Sequence, residues 1–191
     1  NQDVQLFKHK RKNIFRKRSE ILSDVIKNNF SKKSKILDFG SSKGNLLIEL
    51  KKKGYKNIYA HDINKSFSNF FKRKKIIFLK KKEILKEKFD LVIFSHSLSY
   101  VENIEKILKI LMKIVNENGY VILNCDDVSK RPLIFTFSDQ KFFFEKKMIK
   151  NLFRKFGSIK FINSNFLNKN IIKIKKKKPN KKKKILKINN Q

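Results

Sequence analysis

Apolar residues in this chain fall into short blocks whose spacing switches repeatedly between the period of a strand and that of a helix. Ile14, Phe15, Ile21, Leu22, Val25 and Ile26 have helical spacing within a highly charged first thirty residues and predict a helix over about 13–29. The run 35–39, closed by Gly40, suits a buried strand, and Leu46, Leu47 and Leu50 place a helix over 44–53, stopped by Gly54. A strand over 57–62, a short helix over 67–74 and a strand over 75–79 follow. The clearest strand is 89–95. The clearest helix is 101–116, where Ile104, Ile107, Leu108, Leu111, Ile114 and Val115 share one face ahead of Asn118-Gly119. Beyond it lie a strand over 120–125, a polar loop around Pro132, a helix over 145–156 ended by Gly157, and a closing strand pair at 159–162 and 170–174. Regular alternation of strands and helices predicts an α/β fold, a parallel sheet covered on both faces. The chain divides into a helical extension (1–30), a main domain (31–175) and a Lys-rich tail (176–191) that reads as disordered.

Composition changes this picture little. The 191 residues suit one main domain, and 40% hydrophobic residues exclude a wholly disordered basic chain. With 49 Lys+Arg against 16 Asp+Glu the net charge is +33, which resembles a nucleic-acid footprint. The excess, however, is 43 Lys to 6 Arg, and Lys, Asn, Ile and Phe dominate while Ala occurs once. Biased base composition accounts for that pattern without a ligand, leaving the tail as the place where a nucleic acid would bind. No apolar run approaches the roughly 20 residues of a membrane helix, and no signal-peptide hydrophobic region follows the basic start, so the expectation is a cytoplasmic protein without a membrane span. Cys125, the only cysteine, permits neither an internal disulfide nor a cysteine zinc cluster. A start at Asn1 rather than Met is consistent with a trimmed product or part of a larger chain.

Candidate chemistry centres on Asp38-Phe-Gly40-Ser-Ser-Lys-Gly44, a glycine-containing turn between a strand and a helix, with Asp62 at the end of the next strand. Such a turn lets backbone N–H groups approach a ligand, and a carboxylate after the second strand can accept from both ribose hydroxyls of a nucleoside. Together they indicate an adenosine cofactor. These residues resemble the class I S-adenosylmethionine-dependent methyltransferases: the loop is similar to their D-x-G-x-x-x-G pattern, and 88–101 resembles the FDLV strand and its S-H-x-L-E-H-V turn. Asn118-Gly119-Tyr-Val-Ile-Leu is similar to the family's P-G-G-x-L-x-I entry to strand five, so the likeness runs in order from about 33 to 175. It implies a Rossmann-like doubly wound sheet of seven strands, mostly parallel with the last antiparallel, helices on both faces, and S-adenosyl-L-methionine bound across the strand ends. By the same resemblance Asp38 and Gly40 bound the methionine pocket beside Ser41, Ser42 and Gly44. Asp62 holds the ribose, Ile63 lies against the adenine, and Ser95 and His96 face the sulfonium or the acceptor.

Departures from the family pattern are equally visible. Ser42 stands where the loop's middle glycine is usual, Ser99-Tyr100 replaces the Glu-His of the turn, and Lys80-Lys-Lys-Glu83 offers only Glu83 where many members place an adenine-contacting Asp. Segment 138–146 resembles one in methyltransferases related to the sugar C-methylating group, with Gln140 in place of their His. A base must reach the acceptor proton, which leaves His96, Tyr100 and Asp139 as catalytic candidates, with Glu145 nearby. His96 also has a structural reading, and Phe142–Phe144 reads as core or pocket wall more readily than as a base-stacking platform. The expected function is methyl transfer to a small-molecule or sugar-type acceptor. The alternatives are a basic RNA-binding protein or RNA methyltransferase using the tail, and a degenerate, non-catalytic methyltransferase-like domain.

Overall fold

The computed structural model describes residues 2–130, 140–162 and 169–176, and the side chains among them except those of 2–13 and 169–171. Asp139, the Pro132 loop and the tail from 177 onward lie outside the described residues. The elements are α1 (Gln2–Lys27), β1 (Ile36–Phe39), α2 (Asn45–Lys52), β2 (Ile58–His61), α3 (Phe67–Arg73), β3 (Ile77–Phe78), α4 (Lys81–Ile84) and β4 (Phe89–Ser95), followed by α5 (Ile104–Ile114), β5 (Val115–Asp126), α6 (Lys146–Phe153), β6 (Gly157–Ile162) and β7 (Lys169–Lys176). They build one seven-stranded sheet in the order β3-β2-β1-β4-β5-β7-β6. Strands β1 to β5 pair in parallel, and β7 runs antiparallel to both β5 and β6.

Each buried strand alternates between two cores. On β1 and β4, Leu37, Val92 and Phe94 enter the core that packs under α5 and α6, while Ile36, Leu91 and Ile93 enter the one under α1, α2 and α3. Phe89 joins the first core because the β4–β5 register shifts between Phe89 and Leu91, which breaks the two-residue alternation there. Asp90 sits at that shift and ties the strands: its carboxylate accepts from Lys35 N at 2.9 Å and from Asn116 Nδ2 at 2.7 Å.

Several boundaries differ from the sequence pattern for local reasons. The first helix begins at Gln2, well ahead of the apolar stripe, since the Lys, Arg and Gln of this Gly- and Pro-free segment are good helix formers. Its C-terminal half is fastened to the fold: Leu22 and Ile26 are buried, and the Tyr55 hydroxyl donates to Phe30 O at 2.8 Å. Helix α5 starts three residues later than the apolar spacing indicates because Asn103 caps it, accepting from Lys106 N at 2.8 Å, and a single 3-10 turn fills 98–100. Helix α4 was not legible as an apolar stripe; Glu83 caps its N-terminus by accepting from Lys80 N at 2.5 Å. Among the described residues, no helix is long and apolar enough to cross a membrane.

Candidate functional site

The sheet order reverses between β1 and β4, where a doubly wound fold opens a crevice at the carboxyl ends of its strands. The chain leaves β1 through three left-handed residues, Gly40 (φ 84°), Ser42 (φ 45°) and Gly44 (φ 66°). Gly44 is required twice over: it caps α2, and a Cβ there would lie 2.4 Å from the buried Phe71 ring. Gly40 is held by donating to His61 O at 2.7 Å, and a Cβ on it would meet Ser97 Oγ at 2.6 Å. Ser42 adopts the same backbone region without glycine's freedom, a conformation costing about 1–2 kcal/mol. Asp62 compensates. Its Oδ2 accepts from Ser42 N at 2.8 Å and its Oδ1 from Asn64 N at 2.9 Å, so this carboxylate braces the loop across the strand ends.

A cleft of about 320 Å³ opens above this loop. It is lined by Asp38, Gly40, Ser41, Ser42, Gly44, Ser95 and Asn124 from the strand ends, and by Phe15, Arg18, Ser19 and Leu22 from α1. Asp38 is only 4% exposed, and its carboxyl carries no hydrogen bond among the described residues. Burial, reinforced by the nearby Asp62 charge, pushes its pKa up from the ordinary 3.8 to about 7. Asn124, also 4% exposed, donates through Nδ2 to Ser95 Oγ at 3.1 Å and to His96 Nε2 at 3.2 Å, while its Oδ1 is buried without a hydrogen-bond partner among the described residues. Two buried acceptors thus line the cleft. Neither has a donor from the described residues, an arrangement suited to a bound cation that can donate hydrogen bonds.

His96 follows Ser95 with φ 57°, its N–H donating to Asn124 O at 2.7 Å and its Nδ1 3.8 Å from Asp126 Oδ2. The ring is therefore placed between Asn124 and Asp126, with Asp126 positioned to stabilise it when protonated. Tyr100 is 46% exposed on the 3-10 turn, whose Ser99 O accepts from Lys141 N at 2.7 Å and from Phe142 N at 3.2 Å. Phe144 is buried in the core with Phe142 packed partly against it. Ile63 is 94% exposed immediately after Asp62. Glu83 is turned back to its helix cap, and the His61 ring donates from Nδ1 to Leu79 O at 2.8 Å. Among the described residues, no group of three or more His, Cys, Asp or Glu side chains could hold a metal ion.

The structure thus gathers Asp38, Gly40, Ser41, Ser42, Gly44 and Ser95 around one cleft, with Asp62 bracing its floor. The motif reading did not single out Asn124, Asp126 or the α1 residues Phe15, Arg18 and Ser19. A polar Asn inside the apolar run of β5 was the available signal for the first, whereas nothing local marks one turn of a charged helix as a cleft wall.

The fold has close structural counterparts. The SAM-dependent methyltransferase of Thermotoga maritima, described as a possible histamine N-methyltransferase, superposes with a TM-score of 0.65 at 15% identity, covering 90% of this chain and 96% of its own. The PH0226 protein of Pyrococcus horikoshii gives a TM-score of 0.69 at 17% identity over 85% of this chain and 91% of that one. Magnesium protoporphyrin IX methyltransferase of Synechocystis, a structure with bound SAH, gives 0.63 at 13% identity over 85% and 84%. No curated protein gives a significant sequence match. The profile of the methyltransferase-domain family matches residues 7–158, spanning α1 through the start of β6 and therefore every described residue that lines the cleft. With this match over most of its length, the chain belongs to the methyltransferase-domain family, whose class I members use S-adenosylmethionine.

Proposed function

We propose that this chain transfers a methyl group from S-adenosylmethionine to a small-molecule acceptor at the mouth of the β1/β4 cleft. The observation that carries the reading is the pair of buried acceptors without a donor among the described residues, Asp38 and Asn124 Oδ1, beside a glycine-bearing loop into which no further Cβ fits. These residues fit the cofactor. Asp38 and Asn124 Oδ1 would accept from its ammonium, the 40–44 backbone would pack beside its methionine portion, and Asp62 retains lone pairs for ribose hydroxyls. Ile63 offers an exposed apolar surface to the adenine. The bound cofactor supplies an activated methyl on sulfur, so the protein's task is to align an acceptor lone pair and handle its proton.

His96 is the residue we assign to that proton. Asn124 Nδ2, which donates to Nε2, keeps that nitrogen unprotonated until the acceptor arrives. On acceptor binding Nε2 would exchange its hydrogen bond from Asn124 Nδ2 for the acceptor's proton, and the resulting imidazolium would be stabilised by Asp126 at 3.8 Å from Nδ1. Tyr100, on the adjoining exposed turn, would contact the acceptor. Ser42 retains the left-handed backbone of the usual glycine because Asp62 holds it, which supports a working loop rather than a degenerate one.

Calorimetry with S-adenosylmethionine on the intact chain and on Asp62→Ala tests the reading. The intact chain should bind, and the variant, losing both the loop brace and the ribose acceptor, should bind at least about tenfold more weakly. Absence of binding by the intact chain would refute the assignment. Methyl transfer from radiolabelled cofactor to a panel of small amines, alcohols and sugars then identifies the acceptor.

A further inference from the structure

On the α1 side of the sheet the helical cover ends over β5. Ile122 of that strand is buried, whereas Ser158, Lys160 and Lys175 on β6 and β7 are exposed and Lys173 is half-buried. Register gathers the lysines: Lys173 stands directly opposite Lys160 on β6 and Ile122 on β5, and Lys175, two residues on, shares its face. We propose that this open face of β6 and β7 is a docking surface for the phosphate backbone of a nucleic acid, separate from the cleft and independent of the cofactor reading.

The arrangement is unfavourable for the fold alone. Directly opposed residues on paired strands lie roughly 5 Å apart and diagonal ones roughly 7–8 Å, so the lysines repel one another. Burial, and then the Lys160 and Lys175 charges, hold the Lys173 ammonium below its ordinary range. None of the three pairs with a carboxylate among the described residues. Lys173 is held by neutral groups instead: its Nζ lies 4.2 Å from the centre of the Tyr120 ring and 4.9 Å from that of Phe30, and donates to Asn29 Oδ1 at 3.4 Å. A lysine on an edge strand guards against strand-to-strand aggregation, which accounts for Lys160, but β7 lies inside the sheet between β5 and β6. Biased composition sets the number of lysines, not their convergence on one uncovered face. A polyanion removes the repulsion and gains counterion release from each phosphate it brings. No large apolar side chain is exposed on the described part of this face to enter a lipid surface, which favours a nucleic acid over an anionic membrane. Lysine point charges on phosphates read no base edges, so binding is sequence-independent.

Anisotropy of a fluorescein-labelled oligouridylate of about 20 nucleotides, titrated with the full chain at salt from about 50 to 200 mM, tests this. The variant Lys160→Gln/Lys173→Gln/Lys175→Gln should bind at least about tenfold more weakly in the middle of that range. Its plot of log affinity against log salt should be shallower by about 2, from three contacts at roughly 0.7 each. Removing the same charge from α5, in Lys106→Gln/Lys109→Gln/Lys113→Gln, should keep the wild-type slope. The two variants share one net charge and both retain residues 177–191, so their difference belongs to the face itself. Lys160→Gln/Lys175→Gln alters exposed residues alone; it should melt no lower than wild type, because repulsion is relieved, and should reduce the slope by about 1.4. Equal losses in the β6–β7 and α5 variants, a wild-type slope in the β6–β7 variants, or no oligouridylate binding by the wild-type chain would each overturn the proposal. So would weakened binding to phosphatidylserine vesicles with unchanged oligouridylate binding, the signature of a membrane surface. Failure here leaves the cofactor reading standing, and failure of cofactor binding leaves this surface standing.

Discussion

Replacing Asp38 by asparagine should make the ligand-free protein more stable while weakening its site. The carboxyl is 4% exposed, hydrogen-bonded to nothing among the described residues, and pushed up to about 7 by burial and then by Asp62. An aspartate in the unfolded chain titrates at its ordinary value of 3.8, so between that value and about 7 the folded protein binds more protons than the unfolded one. Stability therefore falls as pH rises through this window, and the loss is complete above it. At 1.36 kcal/mol per pH unit the full difference is about 4 kcal/mol. The amide that replaces the carboxyl in Asp38→Asn cannot ionise. The variant and the wild type should match below about pH 4 and diverge steadily, until by pH 8 the variant melts roughly 10 °C higher. Thermal and urea denaturation of both proteins at half-unit steps from pH 4 to 8 measure this directly, and the comparison cancels the shared effect of the +33 charge. A difference that stays flat with pH, or a variant less stable than wild type at pH 8, would refute the claim that Asp38 is an unsatisfied buried acid. The same variant should bind S-adenosylhomocysteine more weakly, since it lacks the negative charge we assign to the ammonium subsite.

Further outcomes follow from the same geometry. If a bound ammonium draws Asp38 into its ionised form, S-adenosylhomocysteine binding should release up to one proton at pH 6 and essentially none at pH 8, measured by calorimetry in buffers of different ionisation enthalpy; Asp38→Asn should abolish the release. Gly44→Ala forces a Cβ to within 2.4 Å of the Phe71 ring at φ 66° and should cost about 2–4 kcal/mol in urea denaturation; an unchanged midpoint would contradict the close packing described. His96→Asn tolerates the left-handed backbone at that position, so it should fold and bind cofactor normally while turnover with the acceptor drops by about 100-fold or more. A variant with wild-type turnover would remove His96 from the proton-handling role.

The order of elements and the location of the glycine-bearing loop after β1 were legible in the chain itself. Strand and helix periods are properties of a few adjacent residues, and the glycines at 40 and 44 mark a turn in which a side chain would be strained or would clash. The two-residue alternation on β1 even sorts Ile36 and Leu37 into opposite cores. Less was visible where the cause is non-local. Ser42 looks like a defect in the glycine loop until Asp62, twenty residues away, is found accepting from its N–H. Glu83 looked available to a ligand and instead caps the N-terminus of its own helix. His96 was a lone histidine until the β4–β5 register brought Asn124 and Asp126 beside it. Arg18 was one charge among many in a basic helix, and only the packing of Leu22 and Ile26 onto the fold turns it toward the cleft. The sequence by itself determined the α/β alternation, the turn and the acidic residue after β2, because these depend on local backbone and spacing. Tertiary structure alone decided which polar groups line one cleft and which lack partners among the described residues, because that depends on burial created by segments far apart in the chain.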